Sequence, residues 1–426
     1  MLVAVVMLFV VAAMAALSID VVTLYTARSE AQLAADGAAL AGARVLANSG
    51  MTSAPDSTVG VAAVPLATAV ALQVAASNPV GGRKLNPAGA CPGGEICVSI
   101  NELASNFVAN PHVTVQVQRS DLPTFFARIW GTKTVTVKAS ATAEAYNPSN
   151  VPGTSVNPKL PVALMCVKPW LLPNLDPSGS ATIFSATTGA ITNPALLGWT
   201  SVNTSPPTRL QPACTDCSGT SLPKPQAWQY YPGDPASFPA PTQALPSCSP
   251  ALATPYEESV AGCIQTPIAC NSTATIDISE YDNRNTETSH AVNCLTHAAG
   301  NEGDKVDLTA AAAPSPPFQF LVGEDNPVAV VNPSLAGKDA MVSSSLVTVP
   351  VFDSGNPTNP PPKTVTIIGF MQLFLNPDGN LTPNNGPNGG HVKTTVINLV
   401  GCGTGIAGQP ILGNGASPVA VRLISP

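Results

Sequence analysis

From Met1 to Ile19 the chain carries no charged residue. A helix over these residues, at about 1.5 Å each, reaches roughly 28 Å, close to the hydrocarbon thickness of a bilayer. Asp20 ends the run, Tyr25 stands where an interfacial aromatic belongs, and Arg28 and Glu30 follow in the aqueous zone. The run therefore predicts a single-pass transmembrane helix. A cleaved signal peptide with Ala13-Met14-Ala15 as its small-residue site is the competing reading. Against it, no basic segment precedes the run, which is also longer than the usual apolar core of about 7–15 residues. A second uncharged stretch, Ser57 to Val80, contains Pro65 and is dominated by Ala, Thr and Ser, which predicts a buried soluble helix.

Only 10% of the 426 residues are charged and the net charge is −7, with no Lys/Arg cluster. Nucleic acid is excluded on that ground, because its recognition needs a basic stripe that displaces counterions. The 44 Pro and 33 Gly predict long irregular loops, while 45% apolar residues are enough to build a core. Ten cysteines all follow the apolar run: Cys91, Cys97, Cys166, Cys214, Cys217, Cys248, Cys263, Cys270, Cys294 and Cys402. An even count in loop-rich sequence predicts disulfides, and so an oxidising compartment such as a bacterial periplasm. Cys91 with Cys97 is a plausible local pair, and the remaining connectivity is open. A zinc site at Cys214-x-x-Cys217 would need a second CxxC, which the sequence lacks.

After Tyr25 the segment TARSEAQLAADGAALAGARVL has no Pro and consists mainly of strong helix formers, so the helix is expected to continue to about Asn48. Ala27, Ala31, Ala35, Ala38 and Gly42 recur at helical spacing and form a small-residue face; Arg28, Gln32 and Asp36 line another side. Such a face lets elements approach closely. It either rests on the protein's own next domain or joins a second helix, in a homo- or hetero-oligomer, through Ala31, Ala35, Ala38 and Gly42.

An apolar span followed by Asp20, Tyr25, Arg28, Gln32 and AADGAALAGA from Ala34 to Ala43 resembles the N-terminal segment of the TadG-like proteins of tight-adherence (Flp) pilus assembly. A second passage, Val113 to Ala145, resembles the strand, PTFFAR-type helix and strand that those proteins carry next. The family pattern has a short basic, Gly-containing stretch before the apolar span, absent here, so no prepilin-peptidase site is assigned. The resemblance implies a component anchored in the bacterial inner membrane, with its body in the periplasm and other pilus-assembly proteins as partners.

The expected class is α+β. Residues 1–50 form the transmembrane and juxtamembrane helix, 51–146 a small α+β unit and 147–161 a linker. Residues 162–426 form a mainly β, Pro/Cys-rich domain with a long loop at 201–250. Val113, Val115 and Val117, and then Val135 and Val137, alternate with polar residues on either side of a helix at Thr124 to Trp130. Later strands are expected at 318–322, 328–331, 346–352, 365–375 and 392–400.

No catalytic constellation emerges, and no cofactor is expected. Asp176-Pro177-Ser178-Gly179-Ser180 fits D-x-S-x-S, a metal-binding element, but Pro173 interrupts the strand that should carry it, so a turn is the simpler reading. His290, Cys294 and His297 would share one helix face as a zinc site requires, without a fourth ligand; Cys294 in a disulfide is simpler. Gly403 to Gly408 spells GxGxxG, but Pro410 and Gly413 prevent the helix a dinucleotide needs. Glu257-Glu258 reads as solvated acids. The expectation is a structural assembly protein, with a secreted or envelope-anchored binding module as the alternative.

Overall fold

The computed structural model describes residues 2–54, 58–88, 91–101, 110–131, 133–147, 149, 163–177, 179, 181–199, 209–213, 222–243, 245, 248–277, 284–297, 302–307, 319–339, 343–355, 359–377, 389–402 and 417–425. The chain begins with α1 (Leu2–Ala47) and α2 (Thr58–Ser77), then β1 (Pro79–Val80), β2 (Arg83–Lys84), β3 (Ile96–Asn101) and β4 (His112–Pro123). A 3-10 turn at Ala127–Trp130 leads into β5 (Thr134–Tyr146). The body adds β6 (Ala163–Leu164), β7 (Trp170–Pro173), β8 (Gln211–Pro212), β9 (Gln229–Pro232), α3 (Pro255–Ala261), β10 (Ile268–Ala269) and β11 (Thr273–Thr275). It continues through α4 (Arg284–Thr296), β12 (Lys305–Asp307), β13 (Gln319–Leu321), α5 (Pro327–Val331), β14 (Leu346–Phe352), β15 (Thr364–Leu375), β16 (Thr394–Gly401) and β17 (Ala420–Ser425).

Two sheets organise these elements. The first is antiparallel, in the order β17-β5-β4-β3, with Val115 opposite Ala141 and Gln116 opposite Ser140. Val113, Val115 and Val117 are buried on one face, as their alternation predicts, and α1 and α2 cover that side. β17 comes from the far end of the sequence and pairs Val421 with Ala145, so residues 420–425 sit with the first unit rather than with the strands nearest them in sequence. The second sheet has seven strands, β11-β15-β14-β7-β9-β8 with β16 also on β15. β14 and β16 are buried along their whole length, which explains their mostly apolar sequence; Thr348, Thr394, Thr395 and Asn398 are the buried polar exceptions.

The strand expected at 328–331 is not formed: Val328–Val331 lie in the helix α5. Asn326 accepts the Val328 N–H and Pro327 occupies the first turn, so a local cap decides what a short apolar run left ambiguous.

The predicted membrane helix is met in part. Residues 2–19 are helical and continuous with the rest of α1, yet among the described residues no helix is long and apolar enough to cross a membrane. Met1 and the side chains of Leu2, Val5, Val6, Phe9 and Ala12 lie outside the described residues. Those described in this stretch include exposed Val3, Met7, Leu8, Val10, Val11, Met14, Leu17 and Ile19.

Candidate functional site

The distinctive arrangement is α1 itself, held by the rest of the protein at its middle and at its end. Its first contact is Asp20. The carboxylate reaches across to the turn after β4, where Phe125 N–H donates to Oδ1 at 2.9 Å, and Phe126 and Ala127 N–H donate to Oδ2 at 3.0 and 2.7 Å. These are the free amides that any helical turn presents at its start, and a carboxylate there is favoured by charge as well as by hydrogen bonding. The Ala127 amide first, then those of Phe125 and Phe126, hold the Asp20 carboxyl below its ordinary range against the opposing effect of desolvation. Asp20 is only 4% exposed, but the shielding is local: Ile19, Val21 and Val22 beside it are all exposed.

One turn and more beyond, the small-residue face packs. Ala31, Ala35 and Ala38 are fully buried, and α2 answers with Ala63, Ala67, Ala71 and Ala75, spaced four residues apart. Gly42 marks the tightest approach: a Cβ there would lie 2.9 Å from Val113 Cγ1 and 3.3 Å from the Ala67 carbonyl oxygen. The face is thus filled by α2 and the sheet of the same chain. Gln32 links its side of the helix to β5, its Nε2 donating to Ser140 O at 3.1 Å and to Asp36 Oδ1 at 2.7 Å. Arg28 and Gln32 also border a groove of about 450 Å³ shared with Lys138 and Gly93.

The end of α1 meets the second sheet. Asn398 Nδ2 donates to the Ala47 carbonyl and to Gln372 Oε1, both at 2.6 Å, which satisfies a terminal carbonyl of the helix. Ser53 Oγ donates to Leu399 O and accepts from Leu399 N–H, while Asn147 Nδ2 donates to Leu399 O and Thr52 O. Gln372 and Asn398 are fully buried, so this polar seam fixes one register between helix and strands. From Asp20 to Ala47, α1 is a rod of roughly 40 Å joining the Phe125 turn to the body.

Among the described residues four disulfides are formed: Cys91–Cys97, as expected, Cys166–Cys263, Cys248–Cys294 and Cys270–Cys402. Cys214 and Cys217 lie outside the described residues, as do Gly403 to Gly408. The His290 face is occupied structurally: Cys294 is bonded to Cys248, while His290 Nδ1 meets Glu257 Oε1 at 2.8 Å and Nε2 meets Pro250 O at 2.9 Å. Glu257 in turn completes a capping box with Thr254 at the start of α3. Asp176 closes a turn, accepting from Ala181 N–H and from Asn193 Nδ2. Lys168 is buried with no carboxylate in ion-pair range among the described residues. Its Nζ donates to Gly262 O at 2.6 Å, and desolvation pulls its pKa down to about 7.

The amides that bind Asp20 and the Ala47 carbonyl that binds Asn398 escape sequence reading because they lie 105 to 107 and 351 residues away. The one signal available was the presence of Gln372 and Asn398 within otherwise apolar strands.

Residues 1–45 match the Flp pilus-assembly TadE/G-like family model. The matched segment ends within α1, three residues after Gly42, and covers about a tenth of the chain. Asp20, Gln32, Ala31, Ala35, Ala38 and Gly42 all fall inside it. No curated protein and no solved structure matches the chain.

Proposed function

We propose that the protein is a membrane-anchored, periplasm-facing structural component of a Flp (tight-adherence) pilus system, acting in pilus biogenesis and adhesion. Its work is contact, without turnover. The observation that carries this reading is that the family-matched segment is the rod on which the molecule is built. The matched residues Asp20, Gln32 and Gly42 are those that attach the rod to the turn, the first sheet and α2.

The uncharged run Met1–Ile19, with its exposed Val, Leu, Met and Ile side chains, supports a single-pass anchor in the inner membrane. Four disulfides support an oxidising compartment for the body. Because α2 and the sheet fill the small-residue face, association with other pilus-assembly proteins or a second copy would use the part of α1 before Ala27, or the body.

Deleting the gene in a piliated host and imaging the cells by electron microscopy tests the proposal. Loss of Flp pili and of surface attachment, restored by the wild-type chain, is the expected result. Normal pili would contradict it, and normal pili with lost attachment would favour the envelope-anchored binding module.

A further inference from the structure

We infer that the turn after β4, residues 123–131, is a second membrane contact, seated in the headgroup zone of the same bilayer with the Phe125 ring directed into it. The inference rests on the anchor reading above and adds to it a surface and its occupant.

Height comes first. Three amides of the turn are within 3.0 Å of the Asp20 carboxylate, so the backbone at residues 125–127 stands level with residue 20 along α1. Asp20 is also the first charge after the uncharged run, so it marks where hydrocarbon gives way to headgroups. The turn is thereby fixed at that boundary rather than out in water.

Composition agrees with that position. Among the described residues, only two aromatic side chains stand among the exposed large hydrophobics, Tyr25 at 77% and Phe125 at 63%, and both belong to this end of the molecule. Tyr25, apolar in body with a polar tip, is the kind of ring that concentrates at membrane–water interfaces, and the wholly apolar Phe125 ring at the same end gains by leaving water for the hydrocarbon edge. Exposed Arg128 in the turn, and exposed Arg28 about two turns beyond Asp20, place cations where lipid phosphates lie.

The chemistry of Asp20 closes the argument. A carboxylate at the edge of an apolar layer is costly unless its oxygens are hydrogen-bonded, and the turn supplies three N–H donors. The same bonds that make Asp20 tolerable there hold Phe125 at the surface. Two contacts, one helix and one turn, restrain the tilt of the body against the membrane, which a lone helix would leave free.

The test uses the full chain, one copy per lipid nanodisc, with an environment-sensitive fluorescent amino acid at position 10, 125 or 331. Brominated lipids quench from inside the bilayer and iodide from the water. Deep bromines should quench position 10. Shallow bromines should quench position 125, with iodide quenching several-fold weaker there than at 331, where Val331 is 87% exposed. Asp20→Asn should restore iodide access at 125 and leave position 10 unchanged. If 125 behaves like 331 while 10 is quenched by lipid, the inference falls and the anchor stands. If 10 and 125 both behave like 331, the anchor reading falls and takes the inference with it.

Discussion

The first unit and the body hold themselves together by different means. In the first unit, alanines on α1 meet alanines on α2 at four-residue spacing, and Val113, Val115 and Val117 face them at two-residue spacing. Contacts are many, small and regular, and the disulfide Cys91–Cys97, with a separation of six residues, closes the loop that leads into β3. The body instead relies on distant connections. Cys270–Cys402 spans 132 residues, and β14 pairs in parallel with β7, from far earlier in the chain. The packing of the unit that positions α1 is therefore specified by regular patterning, with β17 as its distant strand, and the body is specified by closure.

That difference sets the largest expected effect. Loop-closure entropy assigns about 5 kcal/mol to the Cys270–Cys402 crosslink, against about 2 kcal/mol for Cys91–Cys97. Replacing Cys270 and Cys402 by Ser should unfold the body in denaturant well before the first unit, seen as two separated transitions by tryptophan fluorescence and far-UV circular dichroism. A single coincident transition would erase the contrast.

Lys168 provides a pH probe specific to the body. Its folded pKa, about 7, lies below the ordinary lysine value, so between these two the unfolded chain binds more protons than the folded one. Stability should accordingly rise as pH increases from about 7 toward 10.5, by up to about 1.4 kcal/mol per pH unit. Lys168→Met should abolish that slope in denaturant titrations at several pH values, and raise stability at neutral pH. An unchanged slope would mean that Lys168 is hydrated.

Gly42→Leu tests the opposite unit. With Val113 Cγ1 and the Ala67 carbonyl already at contact distance of a single added carbon, the larger side chain should cost about 3 kcal/mol, read from thermal unfolding. A neutral result would show that α1 and α2 are free to separate. The double replacement of Cys91 and Cys97 by Ser follows, at about 2 kcal/mol.

Asp20 has the smallest effect. Its folded pKa is lowered, so the stability it contributes is present above its ordinary value of 3.8 and is lost as pH falls through the folded value. Asp20→Asn should remove this acid limb while leaving neutral-pH unfolding of the body untouched.

The same contrast explains what was legible in the sequence. Helix periodicity and uninterrupted helix formers placed α1 to within a residue or two of Ala47, and an uncharged Ala-rich stretch placed α2. Strands β14, β15 and β16 also read directly, because strands buried over most of their length are predominantly apolar. Connections did not read. Nothing in Asp20 points to amides 105 to 107 residues away, nothing in Ala420–Ser425 points to β5, and beyond the local pair Cys91–Cys97 the cysteines carry no pairing rule. Gln372 and Asn398 do carry a signal, since two amides in largely apolar strands require partners, but nothing in the sequence names the end of α1 and its flanking Asn48 as those partners.

The account stands or falls on α1 as an anchor. Carbonate-washed membrane fractionation of the tagged full-length chain, with sequencing of its mature N-terminus, tests this most directly. The prediction is retention in the membrane pellet with the apolar run intact. Release as a soluble chain beginning near Ala16 would contradict it.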